Sequence, residues 1–191
     1  MNATETHFEG LVLAISELTP RSEIKVEEIP SPQRLAPFSI ALSAEVNDGE
    51  SSGRLVLLHD PVGQDGWSGR YRIVSYVRAE IEEELAVDPM LIEIGWSWLK
   101  EGLDQFSCSY LAESGTVTQI RSASFGSLEK RGNENEIEIR ASWTPLSRVG
   151  EIDISGTEIK EHIKAWLAIL ETAAGLSPIP EGVTQLRHDN F

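Results

Sequence analysis

The sequence predicts an α+β fold: an antiparallel sheet packed with helices, in the order helix, three strands, helix, two strands, helix. Three observations carry this. Strand-like stretches come in consecutive groups joined by turn-rich loops, the pattern of hairpins rather than of parallel βαβ units. Residues 136–143 alternate cleanly, Ile137, Ile139, Ala141 and Trp143 against Glu136, Glu138, Arg140 and Ser142, so one sheet face is buried and the other solvated. Helical spacing is confined to the first residues, to 88–106 and to the stretch after Ser155. At 191 residues the chain is long enough for one well-filled core, and a single domain over 1–191 is expected.

Taken in order, Thr6 and Glu9 have capping-box spacing, and Phe8, Leu11, Val12, Ile15 and Leu18 follow at helical intervals as far as Pro20. Residues 24–29 alternate like a short strand, after which Pro30, Pro32 and Pro37 make a stiff connection to Phe38. Ile40, Leu42, Ala44 and Val46 alternate with smaller or polar residues as the next strand, although the same stretch could be helical on propensity. A turn over 47–53 leads into 54–59, apolar on both faces as a central strand should be. The loop over 60–69 then delivers the chain into a β-rich segment at 70–79, which pairs most simply with the strand before it.

Asp88 followed by Pro89 is a strong start signal for the middle helix. Its apolar residues, from Leu91 through Trp96, Trp98 and Leu103 to Phe106, spread over an arc of roughly 200°, about twice the usual stripe. One sheet cannot cover such a face, so a second element or a partner is needed. Residues 115–125 and 136–143 read as a second hairpin, ended by Pro145. Ser155 and Glu158 offer a capping box for the last helix, whose core face runs from Ile159 through Ile163, Trp166, Leu167 and Leu170 to Ala174 before Gly175 stops it. The tail, with Pro178 and Pro180, is expected to pack irregularly.

Composition narrows the function classes. With 31 acidic and 16 basic side chains the formal charge is −15, which opposes nucleic acid and anionic lipid as partners and would suit a basic protein or peptide. The chain has no apolar run long enough for a membrane span and no signal-peptide pattern at its start, so a cytoplasmic location is expected. The single Cys108 agrees with a reducing compartment and excludes a thiolate zinc cluster.

Candidate chemistry is sparse. Gly95-Trp96-Ser97-Trp98-Leu99 lacks the second glycine and the strand-turn-helix setting of a nucleophile elbow; Ser97 falls inside a helix, and Gly95 better serves close packing on the sheet. Gly63, Gly66 and Gly69 lie in a hairpin loop that opens no helix and carries no lysine, which disfavours phosphate binding. Trp67, at the tip of that hairpin, is either a lid on the core or an anchor for a partner. His59 and Asp60 end a central strand, where a polar pocket could form with nearby arginines, yet adjacent strand residues face opposite ways and cannot easily pair. Arg34, Arg54, Arg70, Arg72 and Arg78 either neutralise acidic neighbours or line a carboxylate-binding groove. His162 reads as a boundary residue of the last helix, and no two histidines have metal spacing. Glu80, Glu82, Glu83 and Glu84 suit a solvated approach to the middle helix better than a cation site.

Four blocks, Arg34-Leu35-Ala36-Pro37-Phe38 with residues 41–46, residues 53–61, residues 95–99, and Arg140-Ala141-Ser142-Trp143-Thr144-Pro145, together resemble an uncharacterised family of high-GC Gram-positive bacteria, a domain of unknown function. The resemblance runs from the first helix to about residue 183. It implies one cytosolic domain and brings no reaction, cofactor or catalytic residue with it. The element order is also similar to that of the small acidic dimeric chaperones of type III secretion and like two-layer folds, a likeness at the level of fold. The resulting expectation is a non-enzymatic, chaperone-like or binding protein that self-associates, meets a protein or peptide partner, and uses no cofactor or metal. Its binding residues are drawn from Trp67, Trp96, Trp98, Arg34, His59 and Asp60. The alternative is an enzyme of unrecognised type with a polar pocket near His59 and Asp60.

Overall fold

The computed structural model describes residues 3–178, apart from the side chain of Asp48. Within them six antiparallel strands form one sheet: β1 (Ile24–Ile29), β2 (Phe38–Val46), β3 (Ser51–Gln64), β4 (Gly69–Glu80), β5 (Tyr110–Ser122) and β6 (Glu134–Pro145), in the spatial order β1-β2-β3-β4-β6-β5. The long helices are α1 (Ala3–Ser16), α3 (Leu91–Gln105) and α4 (Gly156–Ala173), with a single turn, α2 (Glu83–Ala86), between β4 and α3. The α+β class and the hairpin grouping are as the sequence predicts, with 24–29 adding a fourth strand before the middle helix. The predicted tail lies outside the described residues from 179 onward.

All three long helices pack on one face of the sheet. Inward residues recur at every second position, as a one-sided sheet requires: Ile40, Leu42, Ala44 and Val46 on β2, Leu55 and Leu57 on β3, Tyr71, Ile73, Val77 and Ala79 on β4, and Ile137, Ile139, Ala141 and Trp143 on β6. The opposite face is polar around β4 and β6, where Arg78 pairs with Glu136 and the Tyr76 hydroxyl donates to Glu138, itself paired with Arg140. Arg72 on the same face is almost fully buried without a carboxylate. Its guanidinium donates to the Ala112 carbonyl and to the hydroxyls of Thr144, Ser114 and Ser142.

The wide apolar face of α3 is covered in part within the chain, with Leu91, Leu99 and Leu103 buried and Ile92 exposed. Gly95 lies against Ile137 and Val117 of the sheet, a side on which a Cβ would come within 2.8 Å of Ile137 Cδ1. Gly102 meets α4 instead, where a Cβ would stand 3.0 Å from the Ala165 carbonyl oxygen and 3.1 Å from Ile169. One helix therefore uses two small residues to approach a sheet and a helix at once. Ser97 is inside α3 and its hydroxyl donates to the Ile94 carbonyl, which occupies it structurally.

Local signals place most element ends, but β3 runs on to Gln64 through the first half of the loop expected over 60–69, β5 starts five residues early at Tyr110, and two helix starts shift. The Asp88-Pro89 signal does not start α3: Asp88 Oδ1 accepts from the Met90 N–H at 2.8 Å, forming a turn ahead of the helix, and the helical run begins at Leu91. Likewise α1 begins at Ala3, so Thr6 lies inside it rather than capping it. The last helix follows its sequence closely. Ser155 and Glu158 exchange both capping-box hydrogen bonds, and Gly175, at φ +67°, closes the helix with N–H bonds from Gly175 to Thr172 and from Leu176 to Glu171. Burial alone would raise the Glu158 pKa, but the donors at Ser155 and Arg148 outweigh it and hold the carboxyl low.

His162 is not the boundary residue its position suggests; it is 1% exposed in the centre of the core. Its Nδ1 accepts from the Trp143 indole N–H at 3.1 Å, and its other nitrogen meets the Ser109 backbone, so the neutral ring is fully used. Burial lowers its pKa to about 4.

Two outcomes follow. Replacing Gly102 by Val forces a branched side chain into the α3–α4 contact and should lower stability by about 1–3 kcal/mol in urea titration. For His162 the unfolded ring titrates near 6.5 and the folded one near 4. The unfolded state thus binds the extra proton in that window: stability is complete above about pH 6.5 and falls, by roughly 3 kcal/mol, as the pH drops toward 4. The variant His162→Gln, which can accept from Trp143 and donate to Ser109 without titrating, should flatten most of that limb in pH-dependent denaturation.

Candidate functional site

The polar site of this protein is assembled where β3 ends, β4 begins and α1 starts. Leu55, Leu57 and His59 alternate inward on β3, so the imidazole inherits a core position at the last regularly paired residue before the irregularity between His59 and Gln64. Register then surrounds it. Phe38 on β2 and Tyr71 on β4 are the cross-strand partners of His59, and Phe8 descends from α1. The Tyr71 ring stacks on the imidazole at 4.2 Å and 7°, while Phe8 and Phe38 lie at 5.9 and 5.7 Å.

Within this aromatic box His59 is 1% exposed, and neither ring nitrogen has a hydrogen-bond partner among the described residues. Such a pair of buried, unmatched polar atoms costs about 1–3 kcal/mol, so its presence calls for a reason. Burial depresses the His59 pKa, against the opposing pull of Asp153, and favours the neutral ring with one donor and one acceptor nitrogen.

Beside His59 is a hollow of about 260 Å³, whose other walls are His7, Pro61, Arg70, Asp153 and the first turn of α1 at Ala3 and Thr4. Asp153, in the loop before α4, organises it. Its Oδ1 accepts from the Tyr71 hydroxyl at 3.1 Å and lies 3.8 Å from the Arg70 guanidinium. Burial and the Asp153 carboxylate both raise the Tyr71 pKa, so the phenol stays protonated as a donor. His7 is held by the Ile154 carbonyl, 3.1 Å from its Nε2. The start of α1, at Ala3 and Thr4, turns the positive end of its helix dipole to the hollow. Among the described residues no three His, Cys, Asp or Glu side chains converge as metal ligands, so His7, His59 and Asp153 share a hollow without forming a cation centre.

Of the six residues singled out by sequence, only His59 belongs to this site. Asp60 turns to the opposite side of β3, as adjacent strand residues must; its Oδ1 accepts from the Val62 N–H at 3.0 Å and its Oδ2 from Gln64 at 3.2 Å, which makes it a turn-former. A polar hollow does lie near His59 with an arginine in it, and its charged members are Arg70 and Asp153, with Asp60 outside it. Arg34 is exposed in the connection before β2, at φ +72°, remote in role from the hollow. Trp67 ends a short 3-10 turn (Asp65–Trp67) at the hairpin tip; it is half-buried and stands apart from the main core cluster, its carbonyl accepting from the Thr144 hydroxyl. Trp96 and Trp98 are half-buried flanks of α3 packed on the core.

Sequence reasoning missed His7, Tyr71 and Asp153. Each is ordinary in its local setting, and only the docking of α1 across the end of the sheet joins them; His7 and its partner Ile154 are 147 positions apart. Cys108, whose pKa burial pushes up to about 12, is a protonated packing residue and adds no reactivity.

No curated protein and no solved structure matches the chain, so the likeness to secretion chaperones stands on element order alone. No helix among the described residues is long and apolar enough to cross a membrane. The model of one protein family, described as protein of unknown function (DUF3000), matches residues 4–184. That match spans both sides of the hollow, from α1 to beyond α4, and places the chain in the DUF3000 family.

Proposed function

We propose that this protein is a non-enzymatic binding protein that holds a small anionic molecule in the hollow beside His59. The observation that carries the reading is the buried imidazole whose two nitrogens meet no protein group while its ring borders a hollow of about 260 Å³. Core positions with three aromatic neighbours are ordinarily filled by an apolar side chain, and a histidine there is a cost that a ligand offering both a donor and an acceptor would offset. Arg70 and the N-terminal turn of α1 supply the attraction for a carboxylate or phosphate, and Asp153 holds Tyr71 and Arg70 in place. The volume suits a ligand of a few non-hydrogen atoms up to amino-acid size.

The alternative is an enzyme of unrecognised type with a polar pocket near His59, in which Asp60 takes no part because its side chain is engaged on the opposite side of β3. A general base is oriented by a hydrogen-bonded partner, whereas stacking alone orients His59.

The test is thermal shift and calorimetry with acetate, inorganic phosphate, glycine and glutamate as probes, on the full chain. At least one probe should raise the melting temperature of the wild type and leave Arg70→Gln unshifted. The variant His59→Phe should lose the same response and be more stable than wild type by about 1–3 kcal/mol, since it removes two unmatched polar atoms from an aromatic site. Absence of any probe response, together with a His59→Phe variant no more stable than wild type, would refute the proposal.

A further inference from the structure

The charged groups of the hollow beside His59 hold hydrogen-bonding capacity that the chain leaves unused. The Tyr71 hydroxyl occupies only Oδ1 of Asp153, and Oδ2 accepts from no group among the described residues. Arg70 lies 3.8 Å from Oδ1, beyond hydrogen-bond reach, and its guanidinium donates to no described residue. Elsewhere the arginines of this protein close on their carboxylates, Arg78 on Glu136 at 2.8 Å and Arg148 on Glu161 at 3.2 Å. Arg70 and Asp153 instead stand side by side, 39% and 44% exposed, within reach of a molecule entering from solvent. Behind them the His59 imidazole, 1% exposed and with both nitrogens unmatched, borders the same space.

We infer that the hollow takes a small α-amino acid in its zwitterionic form, with Arg70 and the start of α1 facing the carboxylate and Asp153 facing the ammonium. The inference rests on the reading of the hollow as a site for a carboxylate or phosphate, and it selects within that class. Charge balance makes the selection. A carboxylate or phosphate drawn to Arg70 comes to rest beside the Asp153 carboxylate as well, and the repulsion offsets much of the attraction. An amine without a carboxylate meets the same difficulty at Arg70. Only a ligand with opposite charges close together matches the pair, and an α-amino acid carries its ammonium and carboxylate on one carbon. The ammonium supplies donors for Oδ2, and the carboxylate accepts from the guanidinium.

The remaining walls limit the side chain. Ala3, Thr4, His7, His59 and Pro61 bring no further carboxylate, lysine or arginine, and the His7 ring is already tied to the Ile154 carbonyl. A charged side chain therefore finds no opposite charge of its own, and a hollow of about 260 Å³ leaves space for a short one. Glycine, alanine and serine satisfy both conditions.

The experiment is isothermal calorimetry on the full chain at neutral pH with glycine, acetate, N-acetylglycine and ethylamine. N-acetylglycine keeps the carboxylate and loses the ammonium; ethylamine keeps the ammonium alone. Glycine should bind at least about tenfold more tightly than any of the other three. In Asp153→Asn the amide oxygen can still accept from Tyr71 while the negative charge is gone. Acetate should then bind as well as before or better, and the preference for glycine over acetate should fall to within about twofold. A variant that had lost its fold would weaken both probes together, and the wild-type series needs no variant. Acetate binding to the wild type as tightly as glycine overturns the inference and leaves the carboxylate site standing. A glycine preference that survives in Asp153→Asn overturns it too, because the ammonium is then read elsewhere. Silence from glycine also overturns it, and the broader reading then stands or falls on the thermal-shift response to acetate and phosphate.

Discussion

Everything in this molecule leans on α4. It touches α1 and α3 on its flanks and β3, β4 and β6 beneath it, so it joins the two outer helices, which rest on opposite ends of the sheet, into one layer. Its central residue, Trp166, is fully buried with its indole over Gly53, where a Cβ would stand 2.9 Å from Cζ2. A side chain at that point of β3 would lift the helix from the sheet. One turn earlier His162 joins α4 to Trp143 of β6 by a directed bond, which fixes the helix along its axis as Trp166 fixes its height. The Glu158 cap then ties the start of the helix to the loop at Arg148. The Asp153 loop enters α4 from the hollow, so the position of the site is set by the same docking.

What the residues disclosed in advance follows from how local each signal is. The alternation on β6 is legible because one face is buried and the other wet, and β3 is legible because both of its faces carry apolar residues: Leu55 and Leu57 are buried inward and Leu58 is buried on the far side. The capping box of α4 involves four consecutive residues and survives intact. Asp88 and Pro89 make a genuine turn, but the same hydrogen bond that starts a helix also closes an isolated turn, and only the packing of Leu91 decides where the helix begins. Gly95 could be read as a contact glycine. Its counterpart Gly102 could not, since the partner surface on α4 lies far along the chain.

The site was less legible than the fold for the same reason. His59 stood out because a strand-end histidine is conspicuous, and the neighbour it suggested, Asp60, was excluded by strand geometry alone. The carboxylate that does arrive, Asp153, comes from a loop with no pattern of its own, and His7 comes from a helix where it reads as one polar position among several. Among the described residues the imidazole of His59 and the indole N–H of Trp166 are buried without partners, and of the two only His59 borders a hollow; such departures from the agreement between local preference and global fold concentrate where proteins bind.

The protected β1 edge has a consequence for how far assembly can go. A sheet open at both sides can add copies without limit and ends as a fibre, whereas one closed on one side by charges and a proline can grow in a single direction only.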